Sequence, residues 1–224
     1  SAADTTGQSI RVSSDGGIRI REAFGTAEGR GVLSAAYSQV ELRLRAHFSG
    51  DPSLVDAFEC GDDIHRRTAA EVAGIDLEDV SDDQRAHAKA VNFGIIYGLS
   101  AFGLANQLGI ASAEAQKTID AYFARYQGVR TFIDETIEHA RERGFVQTLM
   151  GRRRYLPDLA SRNRTLRQAA ERMAVNSVLQ GTSADLIKKA MVELAPAIDE
   201  AGLGTEMILQ VHDELVFETP PAEA

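Results

Sequence analysis

The sequence predicts an α+β fold, a small antiparallel sheet interrupted by a large helical insertion. Three observations lead there. The apolar run "GVLSAAY" at 31–37 reads as a buried strand. From Asp51 to Gly144 nearly everything follows the helical period. The chain closes on "TEMILQVHDELVFET" at 205–219, two apolar strands meeting at His212 and Asp213 in a tight hairpin.

Residues up to about 30 are rich in Ser, Gly and Thr and read as loops, with a short strand around Ser9 to Val12. After the strand at 31–37, Ser38 is placed to cap a helix running to about Phe48, with Glu41 at the third position of a capping box. Gly50, Gly74, Gly98 and the Gln127-Gly128 junction divide the helical block. Within it Ser112 offers another capped start, with Ala113, Ala115, Ile119, Tyr122, Phe123 and Tyr126 on the apolar side. "FVQTLMGRRRYLP" (145–157) has two β-prone runs around Gly151 and predicts a hairpin. A long helix follows over about 162–199, bent or broken near Gly181.

With 224 residues, 44% of them apolar and 25% charged, the composition is that of an ordinary globular protein. One cysteine, Cys60, excludes an internal disulfide framework and suits a reducing compartment. No apolar run is long enough to span a bilayer, and Ser1 to Gly7 lacks the layout of a signal peptide, so no membrane association and a cytoplasmic location are expected. No internal repeat and no Walker, Rossmann or zinc-finger pattern is present.

The net charge of −9 argues at first against a polyanionic partner. It hides an asymmetry. Between Arg141 and Arg172 nine arginines face three acids, Glu142, Asp158 and Glu171. A molecule polarised in this way can hold a polyanion on one face, and the same run also suits a solvated surface.

Chemistry concentrates in three segments. In "RAHAKAVNFGIIYG" (85–98), Arg85, Lys89, Phe93 and Tyr97 recur every four residues. Each step drifts about 40° around a helix, so the four fan over one side along about 18 Å. Two cations followed by two aromatics match a nucleoside triphosphate lying along the helix. The spacing equally suits an amphipathic helix with aromatics in the core and cations in water. In "QVHDELVFE" (210–218), Asp213 and Glu214 sit where two apolar strands meet, an acidic turn of the kind that can position a Mg²⁺ ligand on a rigid sheet. The third segment is the strand ending at Tyr37. A two-metal phosphoryl-transfer site needs carboxylates from separate strands, and this is the natural place for the partner of Asp213.

Six segments in order, "YSQVELR" with "AHFSGD", "DIHRRTAAEV", "RAHAKAVNFGIIYG", "GRRRYLPDL", "ERMAVNSVLQGTSADLIKKAM" and "QVHDELVFE", resemble the family A DNA polymerases of the bacterial DNA polymerase I type. The resemblance runs from about Gly17 to the C-terminus. It implies the palm and fingers of the right-hand polymerase fold, without thumb or exonuclease domains: palm over 1–49 and 164–224, fingers over 50–163. It implies template-directed deoxynucleotide addition in replication or repair, with two Mg²⁺ ions as cofactors. The implied partners are primer-template DNA and deoxynucleoside triphosphates, with a nucleoid-associated location.

The same resemblance assigns roles to individual residues. Arg85, Lys89 and His65 would contact the triphosphate, Phe93 would stack near the incoming sugar and base, and Tyr97 would sit beside the nascent pair. Glu41 looks like the steric gate against a ribose 2′-hydroxyl, with Gln39 also at the nucleotide. Arg172, Asn176 and Gln180 resemble residues that probe the new pair and template, with Gln210 and His212 near the primer end. Asp213 would hold the metals together with a backbone carbonyl at Tyr37, and Glu214 would support the site.

One departure matters most. Family members read "SADYSQ" where this chain reads "SAAYSQ", so Ala36 stands in place of the aspartate that joins both ions. The resemblance therefore predicts an enzyme by family that is inactive or strongly impaired in nucleotide addition. The alternative is a non-catalytic DNA- or nucleotide-binding module derived from a polymerase.

Overall fold

A computed structural model describes residues 25–224 of the chain, so the strand expected around Ser9 to Val12 lies outside the described residues. Packing divides the chain into two compact units. The described part of the first comprises residues 25–36 and Leu194–Ala224, and the second is Tyr37–Glu193.

The first unit is built on a three-stranded antiparallel sheet in which β5 (Glu214–Thr219) lies between β1 (Gly31–Ala36) and β4 (Glu206–Val211). β4 and β5 are joined by the two-residue turn His212-Asp213, the tight hairpin expected from sequence. His212 takes a left-handed conformation with φ 54°. Along β5 burial alternates, with Leu215, Phe217 and Thr219 inward, as period two dictates for a half-covered sheet. β1 departs from its reading as a buried strand. Five of its six residues are exposed, Val32 and Leu33 among them, and among the described residues β1 pairs on one side only, with β5. Side chains close the far end of the sheet: Arg30 Nη1 donates to the Gly204 carbonyl at 2.8 Å, and Thr205 bonds both Thr219 Oγ1 and Glu223.

The second unit is helical: α1 (Val40–Ser49), α2 (Pro52–Glu59), α3 (Ile64–Ala73), α4 (Asp82–Ile96), α5 (Ala101–Leu108), α6 (Ser112–Arg125) and α7 (Gln127–Arg143). Most of α8 (Arg164–Glu200) also belongs to it. Gly50, Gly74 and Gly109 end their helices in the left-handed conformation, which glycine adopts without penalty. The main core gathers Leu42, Leu44, Ile64, Val91, Leu104, Tyr122, Val129 and Leu179. The hairpin expected at 145–157 is present as β2 (Phe145–Gln147) and β3 (Arg153–Tyr155), and its Val146 joins a second core with Ala140, Ala174 and Val178.

Three local expectations are corrected. α1 is not capped by Ser38. Its N-cap is Gln39, left-handed at φ 56° with no side-chain bond, so the chain turns into the helix one residue late and Glu41 is released from any capping role. Ser112 is the first residue of α6 rather than its cap, which is Ala111, and Ala113 faces solvent. α8 runs unbroken through Gly181. That glycine makes room: a Cβ would stand 2.7 Å from the Thr148 methyl. The close approach lets Thr148 Oγ1 donate to the buried Asp185 at 2.6 Å and Thr182 Oγ1 accept from Leu149 N at 3.1 Å. Arg152 closes the joint on Asp185 at 2.8 Å and on the Gly181 carbonyl at 2.9 Å.

Candidate active site

In the sheet unit, Ala36 is the Cα partner of Glu214 across β1 and β5, and Glu214 is in turn the partner of Val211 across β5 and β4. Residue 36 and the Asp213 turn therefore stand at one end of a single sheet. Asp213 is half-exposed, and the Glu214 carboxylate accepts a hydrogen bond from Ser34 Oγ of the edge strand. Gln210 is exposed and donates from Nε2 to the His212 carbonyl at 3.0 Å, bracing the turn. Tyr37, the next residue after β1, is 44% exposed. A pair of hard divalent cations needs many oxygen ligands and a carboxylate shared between them. This end of the sheet offers Asp213, a Glu214 engaged by Ser34, and the methyl of Ala36, a donor set that does not fit two ions. Among the described residues no cluster of three or more His, Cys, Asp or Glu is placed to hold a metal.

In the helical unit, α4 carries Arg85, Lys89 and Phe93, and Tyr97 follows as its C-cap. The helix begins with a complete capping box, Ser81 and Gln84 bonding each other's backbone N–H, which fixes the start of the strip. Arg85 Nε donates to Asp63 Oδ2 at 2.7 Å. Burial works to raise the Asp63 pKa, but the Arg85 guanidinium and the backbone N–H groups of Arg66 and His65 outweigh it and hold the carboxyl below its usual range. Lys89 is exposed, and the Phe93 ring centroid lies 5.8 Å from that of His65 on α3.

His65 is 3% exposed. Burial, reinforced by the nearby charges of Arg85, Lys89 and Arg45 and opposed by Asp63, lowers its pKa to about 4. The folded value lies below the unfolded one, near 6.5, so the unfolded chain takes up a proton first as pH falls. Stability is therefore expected to drop between about pH 6.5 and 4, by as much as about 3 kcal/mol from this group. Urea midpoints of the wild type and His65→Gln at pH 7 and 4.5 measure it, and the variant should lose distinctly less over that window.

Tyr97 brings three predicted residues together. Its hydroxyl donates to Glu41 Oε2 of α1 at 3.1 Å and also bonds Gln180 of α8. Burial and the Glu41 carboxylate raise its pKa, with the Gln180 bond opposing. Gly98, next in the chain at φ 65°, packs against the Arg172 stem so closely that a Cβ would lie 2.6 Å from Arg172 Cγ. That contact sets Arg172 beside the end of α4. Asn176 is one turn further along α8, and its Oδ1 is buried with no hydrogen-bond partner. Part of the arginine-rich stretch is spent within the protein: Arg141 and Arg167 reach Glu171, and Arg152 reaches Asp185.

Sequence reasoning missed the polar network behind this strip. Arg45 of α1, 1% exposed, donates from Nη1 to Tyr122 OH at 2.8 Å and from Nη2 to the Asn92 carbonyl at 2.5 Å. The Asn92 amide joins Thr68 and His65 on α3. The signal was Tyr122 and Tyr126, whose hydroxyls need partners once their rings are buried.

A mostly helical α+β chain with small antiparallel sheets has the fold of a polymerase domain. The Pol1 polymerase domain of M. smegmatis, solved in complex with DNA primer-template and dNTP, superposes with a TM-score of 0.89 at 44% identity, covering 96% of this chain and 38% of that one. The family model for DNA polymerase family A matches residues 1–224, and the chain belongs to that family. It is 54% identical over 218 residues to the DNA polymerase I of Pseudomonas aeruginosa, covering 97% of this chain and 24% of that protein. With the thermostable DNA polymerase I of Thermus filiformis it shares 51% identity over its full length and 27% of the relative's. The chain thus spans about a quarter of the curated relatives it matches. No helix among the described residues is long and apolar enough to cross a membrane.

Proposed function

We propose that this chain is the palm and fingers portion of a template-directed DNA polymerase, palm over 1–49 and 164–224 and fingers over 50–163. In this reading it binds primer-template DNA and a deoxynucleoside triphosphate but adds nucleotides at a strongly reduced rate. The observation that carries it is the strand register, with Ala36 opposite Glu214 and next to the Asp213 turn. Two sheet positions that would share metal ions in the family's chemistry lie side by side, and one of them holds a methyl. In this reading Asp213 and the Tyr37 carbonyl are what remains of the family's Mg²⁺ ligands, too few donors to hold two ions.

The remaining roles are those that the family resemblance implies. Arg85, Lys89 and His65 form the triphosphate side of the strip, and Phe93 and Tyr97 form its base side. Glu41 is anchored by the Tyr97 hydroxyl, which gives a steric gate its rigidity without any capping bond. Arg172, Asn176 and Gln180 face the new pair and template in this reading. Gln39 lies at the nucleotide, and Gln210 and His212 lie at the primer end. Ala36 also favours the second reading, a non-catalytic DNA- or nucleotide-binding module derived from a polymerase.

Lys89→Ala should therefore weaken deoxynucleoside triphosphate binding about ten- to a hundredfold, the worth of one charge-assisted phosphate contact. A fluorescence titration checks this, and unchanged affinity would sink the assignment of α4 to the nucleotide.

A further inference from the structure

We infer that Asn92, held in orientation by Thr68, is a positioning residue that fixes His65 as its Nε2–H tautomer, a neutral hydrogen-bond donor for an anionic ligand group beside Arg85 and Lys89. The use of that donor on a triphosphate rests on the proposed nucleotide reading, whereas the tautomer itself does not.

The chain of constraint begins with one hydroxyl proton. Thr68 Oγ1 lies 2.7 Å from the Ile64 carbonyl one turn back on α3, and a carbonyl can only accept. The Thr68 proton is committed there, so its oxygen acts as an acceptor toward other neighbours. Tyr126 OH at 3.4 Å is one donor to it. The other is the Asn92 side chain, whose Nδ2 lies 3.0 Å away and whose Oδ1 stands further off at 3.5 Å, so with the hydroxyl proton given to the Ile64 carbonyl it presents its nitrogen at that contact. This removes the usual ambiguity in the orientation of a buried amide. The same nitrogen lies 3.2 Å from His65 Nδ1. An amide nitrogen only donates, so Nδ1 accepts, and in a neutral ring the single proton then sits on Nε2.

Asn92 cannot drift from this arrangement. It is fully buried, and its main-chain carbonyl is gripped by Arg45 from α1. The charged groups around the ring are Asp63 at the N-cap of its own helix, Arg85 and Lys89 on α4, and Arg45 on α1. Three of the four are cations, which disfavour a second proton on His65. The strip thus combines two permanent cations with a neutral donor that does not repel them. No third positive charge has to be packed between Arg85 and Lys89.

Long-range ¹H–¹⁵N spectra of the imidazoles at pH 7, with His65 assigned by its loss in His65→Gln, read the tautomer directly. The wild type should show one neutral form with the proton on Nε2. Asn92→Asp replaces the donor by a carboxylate, so the spectrum should change to a ring protonated at Nδ1. Thr68→Val should give a mixture, and Thr68→Ser, which keeps the hydroxyl, should restore the single form. Backbone amide spectra of each variant show that the fold persists. An Nδ1–H ring in the wild type, or a His65 signal indifferent to both Asn92→Asp and Thr68→Val, overturns the inference. Added inorganic tripolyphosphate should shift the His65 Nε2 resonance in the wild type and bind at least fivefold more weakly to Asn92→Asp. If the wild-type tautomer is as stated and tripolyphosphate leaves Nε2 unmoved, the tautomer lock stands and the nucleotide reading of this strip fails.

Discussion

Ala36→Asp, introduced into a chain that carries the rest of a polymerase I, is expected to raise Mg²⁺-dependent primer extension by about a thousandfold or more, on the order of 4 kcal/mol of transition-state stabilisation. The expectation is strong because the backbone is already in place. Residue 36 is the last of β1, paired with Glu214 in regular antiparallel register, and it is exposed, so an aspartate enters without a clash in a core. The acidic turn stands one residue beyond that pairing, on a hairpin braced by Gln210 and by the Ser34 bond to Glu214. A carboxylate at 36 would supply the missing ligand beside Asp213. Single-turnover extension of a labelled primer measures the gain. The control is Asp213→Ala in the Ala36→Asp background, which should return activity to the original level. Extension that stays absent in Ala36→Asp would show that the methyl is not the only block.

The elements that carry the candidate residues were legible in sequence where spacing or an apolar run points to one kind of element. The strands around Ala36 and Asp213 were readable because apolar runs broken by a two-residue acidic turn permit little else. Their exposure was not, since burial of β1 depends on how many strands flank it, and among the described residues only β5 pairs with it. Glu41 illustrates a different failure. Its position three residues after Ser38 fits a capping box, but the left-handed turn at Gln39 that breaks the box belongs to the tertiary path of the chain. Gly181 was ambiguous in principle. A missing side chain suits a helix break and a close approach alike, and only the position of Thr148 decides between them. Arg45 and Asn92 were invisible because polar residues in a helical pattern read as solvated until the elements that bury them are known.

Arg45→Ala is expected to cost about 3–5 kcal/mol of stability, the largest loss foreseen for a single side chain outside the candidate active site. Arg45 is 1% exposed, and among the described ion pairs it has no carboxylate, so its charge is balanced by dipoles alone: the Tyr122 hydroxyl and the Asn92 carbonyl. Truncation leaves a cavity where the stem packed and removes a partner from two groups that water reaches poorly. Tyr122 is fully buried, and burial already raises its pKa against the pull of Arg45, so the orphaned hydroxyl has nowhere to turn. Two further variants separate the causes. Arg45→Met keeps most of the stem volume and removes the buried cation, and it should recover about half of the loss. Adding Tyr122→Phe to it removes the stranded hydroxyl and should recover about 1 kcal/mol more. Urea unfolding at pH 7 orders the series, and an Arg45→Ala midpoint within 1 kcal/mol of wild type would mean that the guanidinium is solvated and that α1, α4 and α6 are not joined through it.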